Sequence, residues 1–117
     1  MPNPYRAEEE FTVEGRTYRL RFDWNAAVEF ETATGRAISD VLADLAAQRV
    51  SATALRGLLW AGLRSSEPKL SLEAAGEVLD RLGRREAIRL CGTALRFYFP
   101  ELGEQPPADP QSPAPSL

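Results

Sequence analysis

The sequence predicts a mainly helical α+β fold, in which an N-terminal β-hairpin packs on about five short helices. Two short segments alternate apolar and polar residues on either side of a turn that contains glycine. The segments after them repeat apolar residues at helical spacing, and Ser, Asp, Gly and Pro stand where those repeats begin or end. We place one globular domain at residues 9–102, between a flexible lead-in at 1–8 and a disordered tail at 103–117.

The hairpin is predicted over residues 10–22. Glu14-Gly15-Arg16 supplies the tight turn, because glycine readily adopts the positive φ that such turns need. One face of both strands is apolar, and it carries Phe11, Val13, Tyr18, Leu20 and Phe22. A lone two-stranded hairpin is only marginally stable, so this face must lie on helices.

The first helix is predicted over residues 24–34. Asp23 is a good N-cap, because its carboxylate accepts from the free amides of the first turn. Gly35 suits the left-handed backbone at the helix end. Trp24, in the first turn, is expected to pack the hairpin against this helix.

Four further helices are predicted at about 38–48, 52–65, 72–82 and 84–99. Ser51 and Ser71 are expected to cap the second and third of these. Gly57 and Gly62 lie inside a helix, where each costs about 1 kcal/mol relative to alanine. Close approach of a neighbouring backbone would explain them.

The last helix is apolar on two faces. One stripe carries Ile88, Cys91, Gly92, Leu95 and Phe99, and a second, rotated stripe carries Ala87, Leu90, Ala94 and Phe97. Such a helix is either central in the core or covered on one side by another chain or the hairpin. Trp60, at the edge of the third helix's apolar stripe, is either a rim core residue or an interface anchor. The candidate protein-interface residues are therefore Trp60, Leu90 and Phe97.

Residues that could carry chemistry are few. With one cysteine and no histidine, the chain excludes an internal disulfide, a Cys/His zinc site and a histidine-based catalytic arrangement. Cys91 is predicted to be a small core residue, since it lies on an apolar stripe. The carboxylate pairs Glu29/Glu31 and Asp40/Asp44 are interpreted as charges of solvated helix faces. We therefore predict a protein that is not an enzyme and has no cofactor or metal.

Charge and hydropathy restrict the location and partners. The net charge is −3, and basic and acidic residues nearly balance within the helical part, so no nucleic-acid surface is predicted. No apolar run is long enough for a membrane span, and the N-terminus lacks the apolar core of a signal peptide. The expected location is the cytoplasm.

The tail from Gly103 has five prolines in fifteen residues and few apolar groups, which is typical of disorder.

Five segments carry a family resemblance. In chain order they are GRTY at the hairpin turn, RFDWNA at the start of the first helix, ETATG at its end, LLWAGLR in the third helix and LSLEAAGE at the start of the fourth. Their order and spacing over residues 15–100 resemble a family of tailed phages and gene transfer agents. Its members are described as tail tube or tail assembly chaperone proteins.

The resemblance implies a non-enzymatic protein of the bacterial host cytoplasm that binds the tape measure protein while tail tube subunits polymerise around it. It also implies self-association, and a longer form made by ribosomal frameshifting that recruits the tail tube protein. Tube-forming proteins are usually β-sandwiches, so a mainly helical chain favours the chaperone over a structural tube component.

Two other functions remain open. A head–tail adaptor would share the phage context and would form a fixed ring. A small cytoplasmic regulator that binds DNA would need a basic recognition helix, whereas the third helix offers only Arg56 and Arg64.

Overall fold

The computed structural model describes residues 8–99. It confirms the predicted α+β class, with a two-stranded antiparallel sheet followed by five helices. The elements in chain order are β1 (Glu8–Val13), β2 (Arg16–Arg21), α1 (Trp24–Thr34), α2 (Ile38–Ala46), α3 (Ala52–Leu63), α4 (Leu72–Leu82) and α5 (Arg84–Tyr98). The predicted tail at 103–117 and nearly all of the predicted lead-in lie outside the described residues.

The hairpin is closed by a two-residue turn. Glu14 (φ 50°) and Gly15 (φ 81°) both have positive φ, the conformation whose twist matches that of the flanking strands. In this register Phe11 pairs with Tyr18, and their rings stack with centroids 5.4 Å apart. The predicted apolar face is confirmed, because each of its five residues is buried or packs against the core.

Local capping chemistry sets the helix boundaries. The Asp23 carboxylate accepts from the amide of Ala26 at 2.8 Å, and Ser51 and Ser71 cap α3 and α4 in the same way. Gly35 ends α1 in the left-handed conformation, as predicted. The boundaries of α1 and α4 are confirmed as well.

Three helices end earlier than predicted, and α5 does so by one residue, at Tyr98. Helix α2 ends at Ala46 rather than at residue 48, because the chain turns through Gln48 with φ at 60°. Helix α3 ends at Leu63 rather than at residue 65, where the carbonyl of Leu63 accepts from the amides of Ser66 and Glu67 in a turn.

Helices α3 and α5 form the centre of the core. Both apolar stripes of α5 are buried within this chain, since α5 contacts α2, α3, α4 and both strands. Of the alternatives for its two apolar faces, the structure therefore shows a central helix that the hairpin also covers. Phe97 is the exception and is exposed.

The glycines of α3 allow close packing, but the expected neighbour was wrong. A Cβ on Gly62 would lie 2.5 Å from Leu20 Cδ1, and one on Gly57 would lie 2.7 Å from Thr34 Cγ2. Side chains of β2 and α1, rather than a neighbouring backbone, fill this space. The interior is crowded here because both elements cross α3 at its small residues.

Candidate protein-interaction groove

An open apolar groove of about 680 Å³ lies between α1, the start of α2 and the end of α5. Buried side chains, Ala27, Ile38 and Phe99, contribute its floor. Trp24 and Val28, which are 68% and 57% exposed, stand one helical turn apart at its rim. We call this feature the α1/α5 groove; Glu31, Ser39 and Tyr98 complete its lining.

Three aromatic rings form one end of the α1/α5 groove. The Trp24 ring meets Phe99 edge to face with centroids 5.5 Å apart, and it meets Tyr98 in the same manner at 6.4 Å. Such edge-to-face pairs are favourable beyond the area that they bury. Although Trp24 is exposed, its position is therefore set by the end of α5.

A hydrogen bond joins the same two elements. The backbone amide of Trp24 donates to the Tyr98 hydroxyl at 3.1 Å. Amides in the first turn of a helix have no intrahelical acceptor, so this bond satisfies a group that would otherwise need water. The start of α1 and the end of α5 are thus held together at the groove.

Glu31 is the charged side chain in the lining of the groove. Its Oε2 accepts from the amide of Ile38 at 2.9 Å and so caps α2, whose own N-cap residue, Ala37, makes no side-chain bond. A carboxylate at a helix N-terminus also interacts favourably with the positive end of the helix dipole. One edge of a mainly apolar groove therefore carries a carboxylate.

The structure corrects the predicted role of Trp24. It was expected to pack the hairpin against α1, but its ring points to the α1/α5 groove and stays largely exposed. The buried face of α1 consists of Ala26, Ala27 and Phe30. The cause is that α1 carries more apolar residues than one face can bury, and the surplus, Trp24 and Val28, is left at the surface.

The predicted interface residues do not line the groove, and they lie in different environments. Trp60 is half-buried, and its indole N–H donates to the carbonyl of Leu70 at 2.9 Å, below the Arg64 guanidinium. Leu90 is 1% exposed and packs inside the core, so it presents no surface in this conformation. Phe97 is 44% exposed, next in sequence to Tyr98.

Cys91 is buried as predicted, and burial raises the pKa of its thiol to about 12. A thiol that stays protonated is a poor nucleophile.

Within residues 8–99 there is no cluster of three or more side chains suited to a metal ion. The carboxylate of Asp44 lies 3.0 Å from the Arg36 guanidinium, as expected of a charge on a solvated helix face. Glu29 departs from that interpretation, because its Oε1 is buried, 3.5 Å from Arg64 Nε.

None of the helices described here is both long and apolar enough to cross a membrane.

The sequence could have indicated the groove in one respect. Apolar residues in 24–34 occupy more of the helix circumference than a single buried stripe requires, which is the signal that sequence reasoning missed.

Comparison with known proteins identifies the relatives of this chain. A family model described as "Phage tail tube protein, GTA-gp10" matches residues 6–99, which include every described helix and strand. No curated protein matches the chain. No solved structure matches it either.

Proposed function

This chain belongs to the family described as phage tail tube protein, GTA-gp10, and we propose that within tail assembly it acts as a chaperone that binds the tape measure protein. Membership assigns it to the phage tail and its assembly. The finer proposal, that of a chaperone, is supported by the surface that the fold leaves uncovered.

The α1/α5 groove is the observation that carries the proposal. An amphipathic helix docks by laying its apolar face into a hydrophobic groove of a partner. The groove has the required parts, namely a buried apolar floor and two large exposed side chains, Trp24 and Val28, at its rim. Tryptophan is among the residues that most often dominate binding energy at interfaces.

The chemistry of the client fits this groove. A tape measure protein is long and helical, and its apolar faces need cover until tube subunits enclose it. A groove on a small chain covers only a short piece of helix, so many copies would bind along one client. Neighbouring copies held on one client raise each other's effective concentration, so self-association along the client is part of the proposal.

The anionic edge of the groove adds a preference. Glu31 uses Oε2 to cap α2, and its Oε1 has no hydrogen-bond partner among residues 8–99, so it could meet a client side chain. A client helix with Lys or Arg beside its apolar stripe would pair with it. Recruitment of the tail tube protein, through a longer form of the chain, completes the proposed sequence of assembly.

A structural role in the tail tube is the second candidate, favoured by the description of the family itself. A tube subunit would associate with its own copies into rings without a client. The sheet in residues 8–99 has two strands, far fewer than the β-sandwich usual for tube proteins, which supports the chaperone.

Co-expression with the tape measure protein of the same phage or gene transfer agent tests the proposal. We expect a soluble complex that contains many copies of this chain per client when it is sized by light scattering. An insoluble client, together with closed rings of this chain alone, would contradict the chaperone and support the structural role.

A further inference from the structure

We propose that the α1/α5 groove also binds a segment of this same chain, Pro107–Pro113, and that this segment covers Trp24 when no client is bound. The proposal joins two observations, the proline spacing in the tail and the aromatic lining of the groove. The docking itself concerns the chain without a client and does not rest on the proposed function, whereas displacement of the segment by a client does.

The first observation is a repeat in the sequence PADPQSP. Pro107, Pro110 and Pro113 recur every third residue. A polyproline II helix has three residues per turn, so all three rings would lie on one face of it, over a length of roughly 19 Å at about 3.1 Å per residue. Pro106 and Pro115 fall outside this register and would face elsewhere.

The second observation is the aromatic end of the groove. Polyproline II segments dock in grooves lined by aromatic rings, and they lose little conformational freedom because proline already fixes φ. Trp24, Tyr98 and Phe99 form such a lining, with rings at steep angles to one another. A proline ring can pack into the space between aromatic rings that meet at such angles.

Hydrogen-bond donors are present as well. The Tyr98 oxygen accepts from the amide of Trp24, so its own proton is available for an acceptor in the groove. The Trp24 indole N–H has no protein acceptor among the described residues. Carbonyl groups of a polyproline II helix make no internal hydrogen bonds, so they are free to accept from both.

The covalent connection favours binding within one chain. Phe99 lines the groove, and Pro107 follows it by eight residues, which span up to roughly 26 Å when extended. Gly103 lies within this linker and permits the reversal of direction that docking needs. A short tether keeps the segment at a high effective concentration near the groove, so weak contacts suffice.

The predicted disorder of the tail is compatible with this docking. A segment that cannot form a core of its own becomes ordered when it binds a preformed surface. Docking would shield the large exposed rings of the free chain, and a client helix would displace the segment.

Fluorescence quenching of Trp24 by acrylamide in the full-length chain tests the proposal. Trp60→Phe makes Trp24 the one tryptophan. In this background we compare the unchanged tail, the variant Pro107→Ala/Pro110→Ala/Pro113→Ala, and the control Pro106→Ala/Pro115→Ala, which leaves the proline register intact. Trp24 is 68% exposed in the structure described here, so covering half of that surface should make quenching about twofold weaker.

We expect this protection with the unchanged tail and with the control, its loss in the triple variant, and no change on dilution. Equal quenching in all three proteins would overturn the proposal. Protection that disappears on dilution would also overturn it, because the segment would then bind another copy of the chain.

Discussion

Substitution of Gly62 by alanine tests whether α3 packs as closely on the hairpin as described. The added Cβ would lie 2.5 Å from Leu20 Cδ1 and 3.0 Å from Phe22 Cζ, and both of these side chains are fully buried. Carbon atoms normally rest about 3.5–4.0 Å apart, so one side chain must move by about 1 Å in a closed core.

The magnitude follows from two opposing terms. Overpacking of a well-packed core costs about 1–3 kcal/mol. Replacing glycine by alanine within a helix returns about 1 kcal/mol. Because the clash is severe and neither neighbour can move into solvent, we expect Gly62→Ala to lower the free energy of unfolding by about 1–2 kcal/mol.

Gly76→Ala is the matched control. A Cβ there meets only the flexible Arg56 side chain, whose Cδ would be 3.3 Å away. That side chain can move, so the helix-propensity term prevails and the variant should gain up to about 1 kcal/mol. Urea denaturation of both variants measures the difference. If Gly62→Ala is as stable as Gly76→Ala, the described packing of α3 on β2 is wrong.

Three further predictions address the caps, the core and Trp60. Asp23→Ala removes the cap on the amide of Ala26, so it should cost about 1 kcal/mol in urea denaturation, whereas an unchanged midpoint would show that water replaces the cap. Cys91, whose pKa is raised to about 12, should resist a thiol reagent at pH 8 in the native chain and react once the chain is unfolded; rapid native labelling would contradict its burial. Trp60→Phe leaves the Leu70 carbonyl without its donor and should cost about 1 kcal/mol, and no loss would mean that this bond contributes nothing to stability.

Local chemistry explains why most of the fold could be predicted. The turn at Gly15, the caps at Asp23, Ser51 and Ser71, and the end of α1 at Gly35 each depend on residues close together in sequence. Such features can be predicted from short segments of sequence, so α1 and α4 have the predicted boundaries.

The groove depends on long-range packing and was not predicted. Which part of α1 stays uncovered is decided by where the end of α5 crosses it, some seventy residues later, and the bond between Trp24 and Tyr98 marks that crossing. The hydrophobic pattern of 24–34 alone does not say which apolar residues find cover. The burial of Leu90, a candidate interface residue, could not be predicted for the same reason, because the apolar stripe of α5 does not show which elements pack against it.

The central claim is that the α1/α5 groove binds an apolar client helix, and two variants of one helix test it most directly. Val28→Glu places a charge in the groove, while Ala33→Glu places the same charge at an exposed position of α1 outside the lining. Both positions are exposed, so both variants should keep the fold and the helix content of the unchanged chain. Calorimetric titration with helical segments of the tape measure protein should show at least about tenfold weaker binding for Val28→Glu, because a desolvated charge costs more than about 1.4 kcal/mol, and unchanged binding for Ala33→Glu. Equal affinities for the two variants would contradict the claim.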